Sequence, residues 1–230
     1  MKLVLQFEGF PREAFFIGWN FNFPPNAVIS SLKNKTMILR LVFATHNTNK
    51  AREIQSIMPE GVEILSLEDI GCEEDIPETG DTLTANALQK ARYVYANYGF
   101  NCFADDTGLE VTALNNAPGV YSARYAGSEK DANANMDLLL QHLEGREDRS
   151  ARFKTCIALI IHGEETLFDG AVEGKIGHEK VGTEGFGYDP IFYPEGASRT
   201  FAQMTLHEKS EQSHRARAFK KMVTHLNELK

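Results

Sequence analysis

Two adjacent carboxylates, Asp105 and Asp106, are the residues of this sequence best suited to chemistry. They lie in the stretch Ala104–Gly108, between an apolar segment, Phe100–Phe103, and an alternating segment that begins at Leu109. The pattern predicts two short strands and puts the acids at a strand end, where the sites of α/β proteins gather. Such acids can hold Mg²⁺, which takes one or two carboxylates together with water and substrate phosphates. The alternative interpretation is a plain turn, because Asp, Thr and Gly all favour turns.

A polar loop, Thr45–Lys50, joins a predicted strand to a predicted helix. The run at 38–44 is mostly apolar, which indicates a strand buried on both faces, and a helical pattern follows from Ala51 to Met58. A helix N-terminus after such a loop presents free backbone N–H groups to an anion, and Lys50 adds a positive charge. A capped helix start without a ligand has the same pattern, so both interpretations stay open.

The C-terminal helix places cations where helices usually carry acids. An apolar stripe runs through 216–229, and Ser210, which is followed by Glu and Gln, predicts the helix start. His214 and Arg215 then lie in the first turn, against the charge preference of a helix N-terminus, and Lys209 stands just upstream. Such a local conflict indicates a function.

Two other segments carry residues that could contact a ligand. The loop Gly185–Pro190 combines glycines, which let backbone approach a ligand closely, with Phe186, which could stack on a base. Arg124 is a lone cation after a loop rich in Asn, Pro and Gly. The alternative interpretation of the loop is a turn without a ligand. The alternative interpretation of Arg124 is a surface charge or a salt bridge.

The rest of the chain alternates predicted strands and helices. Two long runs joined by a His-Gly-Glu turn predict a hairpin, which makes the sheet mixed instead of parallel. In the first long helix Asp81 is the predicted cap and Gly99 the predicted end. The predicted elements are strands at 62–65, 151–161 and 165–176 and helices at 83–98 and 131–142.

Composition narrows the class of protein and of partner. The 230 residues are 42% hydrophobic, with a formal net charge of -8, which is typical of a globular protein and argues against binding of a nucleic acid polymer. No apolar run is long enough to cross a bilayer, so no membrane partner is expected. The widely spaced Cys72, Cys102 and Cys156 suit buried thiols in a reducing cytoplasm.

Residues 1–36 differ in character from the rest of the chain. They hold the only tryptophan, Trp19, and many phenylalanines, but they lack the pattern of a signal peptide. We expect an atypical N-terminal extension at 1–36, with Met37 as the natural start and one domain at 37–230. The alternative is a short arm that packs its aromatic side chains on a partner.

Several motifs, taken in order, resemble those of the inosine triphosphate pyrophosphatase family from about Leu41 to the C-terminus. The resemblance implies an elongated α/β fold with a mixed central sheet flanked by helices, two lobes with a cleft between them, and a homodimer. The motifs are Thr45-x-Asn47-x-x-Lys50, Glu78-Thr79-Gly80, Asn86-Ala87-x-x-Lys90-Ala91, Ala104-Asp105-Asp106-Thr107-Gly108-Leu109, Pro118-Gly119-Val120-Tyr121-Ser122-Ala123-Arg124-Tyr125, Gly185–Phe192 and Ser213-His214-Arg215.

The same resemblance implies roles for individual residues. Glu78 and Asp106 would hold Mg²⁺, and Asp106 would also be the proton acceptor. Neighbours on an extended backbone point to opposite sides, so we expect Asp105 to brace the site. Ala85 stands where many members have Glu, and it receives no metal role. The implied substrate contacts are Thr45, His46, Asn47, Thr48, Asn49, Lys50, Thr107, Phe186, Gly187, Tyr188, Asp189, Lys209, His214 and Arg215.

The activity that the resemblance implies is Mg²⁺-dependent hydrolysis of deaminated purine nucleoside triphosphates, namely ITP, dITP and XTP. The products would be a nucleoside monophosphate and pyrophosphate, and the reaction would cleanse the nucleotide pool. Two alternatives stay open: a pyrophosphatase for pyrimidine or modified nucleotides, and a nucleotide sensor without catalysis. Clustered acids argue against the sensor, because a phosphate binder gains nothing from negative charge without a metal.

Overall fold

The structure, a computed structural model, describes residues 39–55 and 58–229. The predictions about residues 1–36 and about Met37 lie outside these residues. The strands are β1 (Leu39–Phe43), β2 (Val62–Leu65), β3 (Cys102–Val111), β4 (Ala117–Gly119), β5 (Ser150–Ile161), β6 (Glu164–Ile176) and β7 (Phe192–Pro194). The helices are α1 (Thr48–Gln55), α2 (Leu83–Tyr98), α3 (Ala132–His142), α4 (Leu206–Gln212) and α5 (His214–Glu228).

A mixed seven-stranded sheet forms the centre of the fold, in the order β2-β1-β3-β5-β6-β7 with β4 on β3. β1 is parallel to both β2 and β3. The neighbouring pairs β3–β5, β5–β6 and β6–β7 are antiparallel. β5 and β6 are the predicted hairpin. The predicted mixed sheet with flanking helices is thus confirmed.

β3 is one continuous strand, so the prediction of two short strands around a turn was wrong. It pairs with β5 along its full length, from Cys102 opposite Ile160 to Val111 opposite Ala151. This ladder keeps the backbone extended through Asp105 and Asp106, which therefore lie inside a strand. Gly108 serves a close approach instead of a turn, because a Cβ there would lie 2.5 Å from the carbonyl oxygen of Gly119.

The other edge of β3 changes partner at the two aspartates. β1 pairs with β3 at Cys102 and Phe103, and β4 pairs with it from Leu109 onward. Between these pairings, no strand of the described chain covers that edge of β3. The acids consequently lie beside the carboxyl end of the parallel strand β1, which is where α/β proteins bind ligands.

Three hydrophobic clusters hold the sheet. Alternate residues of β1 and β3 face two of them, one containing α2 and the other containing α5. The third cluster packs α3 and β7 against the far ends of β3, β5 and β6. Core clusters at both ends of β3, with the aspartates between them, agree with the predicted division into two lobes.

Two helix starts differ from those predicted. The side chain of Thr82, not that of Asp81, caps α2, and Gly99 ends it in the left-handed region as predicted. Ser210 lies inside the short helix α4, which begins with a capping box at Thr205. The backbone is extended at Ser213, whose side chain caps α5. His214 and Arg215 still occupy the first turn of the last helix.

Two predictions from composition can be compared with the structure. None of the helices among the described residues has the length and hydropathy needed to span a membrane. Cys72, Cys102 and Cys156 are buried free thiols, as predicted.

Candidate active site

A cavity of about 560 Å³ lies beside the carboxyl end of β1. Its walls come from the loop after β1, from the middle of β3, from the segment after β4, from the loop before β7, and from α4 and α5. All the predicted substrate residues line it except Thr48, which is exposed at the start of α1. The predicted metal residues Glu78 and Asp106 line it as well.

Asp105 is fully buried between two cations from different helices. Its Oδ1 lies 2.9 Å from Lys50 Nζ, and its Oδ2 lies 3.1 Å from Arg215 Nε. Burial favours the neutral acid, but the charges of Lys50 and Arg215 outweigh it and hold the pKa of Asp105 well below its usual range. Asp105 therefore carries a negative charge between Lys50 and Arg215, an environment that fits the prediction of a bracing carboxylate.

Asp106 points to the other side of the strand and reaches the cavity. Its Oδ2 accepts a hydrogen bond from Asn86 Nδ2 at 3.0 Å, and its Oδ1 accepts one from Thr107 N at 3.0 Å. Burial and the nearby negative charge of Glu78 raise the pKa of Asp106, although Lys90 and Lys50 oppose them. A carboxylate with a raised pKa is a better proton acceptor than an ordinary one.

Lys90 is a site residue to which the sequence analysis gave no role. Its buried ammonium group donates hydrogen bonds to Glu78 Oε1 and to the carbonyl oxygen of Asp105, and it lies 3.9 Å from Asp106 Oδ1. The signal in the sequence was its position on the apolar face of α2, between Ala87 and Ala91. A lysine on a buried face requires an acid partner, and Lys90 has three nearby.

Asn86 connects the loop that carries Glu78 to the carboxylate of Asp106. Its Oδ1 accepts a hydrogen bond from Gly80 N at 2.7 Å, while its Nδ2 donates to Asp106. A Cβ on Gly80 would lie 2.6 Å from Ala85 Cβ, so glycine lets the loop pack against the start of α2. The motifs around Glu78 and Asn86 thus form one unit around Asp106.

The donor set at Glu78 and Asp106 fits a Mg²⁺ ion that arrives with phosphate. Both carboxylates contact the ammonium group of Lys90, and both line the cavity, so they lie close to each other at its wall. Mg²⁺ commonly takes one or two carboxylates and completes its shell with water and phosphate oxygens. In the described part of the chain, no group of three or more His, Cys, Asp or Glu residues could hold a metal ion. A metal ion at Glu78 and Asp106 would therefore need ligands from water and phosphate.

The loop before α1 is both a capped helix start and a wall of the cavity. Asn47 Oδ1 accepts hydrogen bonds from Asn49 N at 3.0 Å and from Lys50 N at 3.3 Å. Thr45 Oγ1 accepts one from Asn47 N at 3.1 Å. These bonds cap the helix start and fix the loop in the position from which Lys50 reaches Asp105, whereas the binding of an anion by this loop stays a prediction.

An aromatic ring and two cations form another part of the lining. Lys209 Nζ lies 4.7 Å from the centroid of the Phe186 ring, and Arg215 Cζ lies 5.5 Å from it. Asp189 accepts hydrogen bonds from Lys209 Nζ at 2.6 Å and from Phe186 N at 2.7 Å. Gly185 has φ +75° and lies against the Asp189 carboxylate, so a side chain there would displace the loop.

His214 is buried and stacked on Phe153, with ring centroids 4.6 Å apart. Its Nδ1 has no hydrogen-bond partner among the described residues. Burial, reinforced by the charges of Arg215 and Lys209, lowers the pKa of His214 well below its ordinary value. A neutral imidazole with an unpaired ring nitrogen in the cavity lining is suited to hydrogen bonding with a polar ligand.

Comparisons with known proteins show the family. Residues 41–225 match the profile of the Ham1 family. A dITP/XTP pyrophosphatase of Christiangramia forsetii is 59% identical over 189 residues, covering 82% of this chain and 100% of that protein. A dITP/XTP pyrophosphatase of Flavobacterium psychrophilum is 55% identical over 185 residues, covering 80% of this chain and 97% of that protein.

Solved structures are similar as well. The structure of the Staphylococcus aureus Ham1 protein matches with a TM-score of 0.77 at 37% identity, and the match covers 83% of this chain and 100% of that chain. A Mycobacterium abscessus protein described as nucleoside-triphosphatase / dITP/XTP pyrophosphatase has a TM-score of 0.67 at 42% identity. The match covers 80% of this chain and 99% of that chain. These matches confirm the resemblance that the motifs indicated. The chain belongs to the Ham1 family.

Proposed function

We propose that this protein is a nucleoside-triphosphate pyrophosphatase that converts deaminated purine nucleoside triphosphates, such as ITP, dITP and XTP, to the monophosphate and pyrophosphate with the help of Mg²⁺. The observation that carries the proposal is the arrangement of Asp106, a carboxylate with a raised pKa that faces the cavity beside Glu78 and Lys90. The names of the relatives support the substrate class.

The phosphate chemistry follows from the charges that line the cavity. Water attacks the α-phosphorus in line with the departing pyrophosphate, and Asp106 accepts the proton of that water. Asn86 holds the Asp106 carboxylate in orientation, while Lys50 and Lys90 offset the negative charge of the substrate. Glu78 and Asp106 would hold Mg²⁺, which when bound neutralises charge on the phosphate oxygens.

Base selection rests on the part of the lining around Phe186. Phe186 can stack on any base, so it contributes affinity more than selectivity. A buried N–H donor that pairs with the 6-keto oxygen of hypoxanthine or xanthine loses its acceptor when the 6-amino group of adenine takes that place. A buried polar group without a partner costs about 1–3 kcal/mol, which is enough for clear discrimination against ATP.

The test is a panel of nucleoside triphosphates with pyrophosphate release as the readout. We expect ITP and XTP to be hydrolysed much faster than ATP, and activity to disappear when EDTA removes Mg²⁺. A preference for dUTP or for a methylated pyrimidine triphosphate would favour the alternative pyrophosphatase. Nucleotide binding without any pyrophosphate release would favour the sensor and would overturn the proposal.

A further inference from the structure

We propose that Gln89 of α2 is a positioning residue, which holds the loop that carries Glu78 in the place where Glu78 can take Mg²⁺ together with Asp106. The inference rests on the proposed function and deepens it, because it explains how one of the two proposed metal carboxylates is kept in position. Gln89 is half-buried and is not among the described residues that line the cavity. It therefore acts on the metal only through Glu78.

The loop that carries Glu78 has no regular structure of its own. Residues 72–82 belong to no helix or strand. Within 39–55 and 58–229, the backbone of residues 73–81 forms no hydrogen bond with another backbone group. The position of the Glu78 carboxylate consequently depends on side chains that reach the loop from neighbouring elements.

Gln89 holds Thr79, the residue after Glu78, by both its backbone and its side chain. Gln89 Oε1 accepts a hydrogen bond from Thr79 N at 3.0 Å, and Gln89 Nε2 donates one to Thr79 Oγ1 at 3.1 Å. Among the described residues, all the hydrogen bonds of the Gln89 side chain go to Thr79. A peptide group is planar, so a bond that fixes Thr79 N also fixes the Cα atom of Glu78.

Asn86 and Lys90 lie on the same face of α2 as Gln89, because residues three and four apart are neighbours on a helix. Each of these two neighbours holds the loop, and each also contacts an aspartate of β3. Replacing either one would therefore disturb both sides of the metal site at once. Gln89 holds the loop alone, so its replacement separates the position of Glu78 from that of Asp106.

A carboxylate that is positioned before the metal arrives binds it more tightly than a mobile one. The Glu78 side chain is 29% exposed, so in a loosened loop it could turn toward water. Partners that orient metal ligands typically contribute about 10- to 100-fold to metal affinity or activity. Gln89 acts through the backbone beside the ligand and not on the carboxylate itself, so we expect a contribution at the lower end of that range.

The experiment measures metal binding by activity and by stability. ITP hydrolysis, and thermal unfolding with a non-hydrolysable ITP analogue, are both recorded over a series of Mg²⁺ concentrations and in EDTA. The proteins are the wild type, Q89A, E78Q, the double variant with both changes, and N97A as the matched control. Asn97 is an exposed amide of α2 whose side-chain hydrogen bond, to the Tyr93 carbonyl oxygen at 2.8 Å, stays within the helix.

We expect Q89A to raise the Mg²⁺ concentration for half-maximal activity, and that for half-maximal stabilisation, about tenfold. Its kcat at saturating Mg²⁺ and its binding of the analogue in EDTA should stay close to those of the wild type. N97A should match the wild type throughout, and Q89A should add little to the effect of E78Q. A loss of stability alone, without a change in the Mg²⁺ requirement, would be the result of a merely structural role.

The inference is overturned if Q89A needs no more Mg²⁺ than the wild type, or if it weakens binding of the analogue in EDTA to the same extent. It is also overturned if Q89A raises the Mg²⁺ requirement of E78Q as much as that of the wild type. Failure of the proposed function has a different signature, because in that case the wild type itself releases no pyrophosphate from ITP. The Mg²⁺-dependent stabilisation by the analogue still reports on Gln89 in that event.

Discussion

Asp105 and Asp106 show how two identical side chains acquire different environments at neighbouring positions. Strand alternation sends one into a dry environment between Lys50 and Arg215 and the other to the cavity wall. Local charge then lowers the pKa of Asp105 and burial raises that of Asp106. The sequence predicted the opposite orientation of the two side chains, but it did not reveal the cations around Asp105.

Replacing Asp106 with Asn is expected to lower kcat for ITP by about 10²- to 10⁴-fold, the contribution of a general base. Asn keeps the shape of the side chain, so binding of a non-hydrolysable ITP analogue should change far less. The matched control is D169N, because the side chain of Asp169 is 71% exposed in β6. A D106N enzyme with near wild-type turnover would contradict the mechanism.

His214 should make stability depend on pH in the weakly acidic range. Its pKa is lowered in the folded protein, so between that value and the unfolded pKa of about 6.5 the unfolded chain binds more protons. The stability from the neutral imidazole is therefore fully present above pH 6.5 and is lost as the pH falls below it. We expect H214F to reduce the slope of unfolding free energy against pH by up to about 1.4 kcal/mol per pH unit.

Urea unfolding of the wild type and H214F at intervals from pH 5 to pH 7.5 measures that slope. Phe can stack on Phe153 without a group to protonate, so it preserves the packing of the ring. The prediction is wrong if both proteins lose stability in parallel as the pH falls.

At the scale of elements, strong periodic signals were enough for most of the fold. The apolar run of β1, the hairpin of β5 and β6, and the stripes of α2 and α3 led to elements that the structure confirms within a few residues. β3 was missed because its middle, Ala104–Gly108, has turn composition. Only pairing with β5, a contact distant in sequence, keeps that stretch extended.

Other parts of the site also depend on distant contacts. α4 has only seven residues and carries no apolar stripe, although its capping box from Thr205 to Glu208 was a local signal that could have been used. The roles of Lys90 and Asn86 required knowing that α2 packs beside β3. Spacing within one element cannot supply that information.

The contact between β6 and α5 should tolerate no side chain at Gly170. A Cβ there would lie 2.2 Å from the His214 carbonyl oxygen and 2.6 Å from Ala218 N, both backbone atoms of α5. We expect G170A to cost about 1–3 kcal/mol of unfolding free energy. It should also reduce ITP turnover, because the start of α5 carries His214 and Arg215.

Thermal or urea unfolding and ITP assays on the same samples measure both effects. E173A is the control in β6, since Glu173 is exposed and its replacement should change stability by no more than about 0.5 kcal/mol. Wild-type stability and turnover in G170A would show that α5 can move away without consequence.

For the molecule as a whole, the two carboxylates Glu78 and Asp106 predict that metal and nucleotide bind together. Mg²⁺ alone should stabilise the protein little, because no described group of three acids or imidazoles holds it. Mg²⁺ with a non-hydrolysable ITP analogue at a hundredfold excess over Kd should add about 2.7 kcal/mol. The coupling between the two ligands is measured by thermal unfolding with Mg²⁺, with the analogue and with both. E78Q should weaken this coupling. Equal stabilisation by Mg²⁺ alone would contradict it.

The homodimer and the cytoplasmic location stay predictions of the family resemblance and of the cysteine content. Analytical ultracentrifugation of the full chain tests the first, and fractionation of the source cells tests the second.

The ladder between β3 and β5 also determines which changes of length this protein can survive. A slip of one residue in that pairing would turn Asp105 toward the cavity and Asp106 toward the interior. All the remaining side chains of β3 would move to the opposite face of the sheet as well. Ten paired residues oppose such a slip. The Phe186 loop has no comparable register to keep. Insertions and deletions should therefore be tolerated better in that loop than in β3, where the register determines which aspartate faces the cavity.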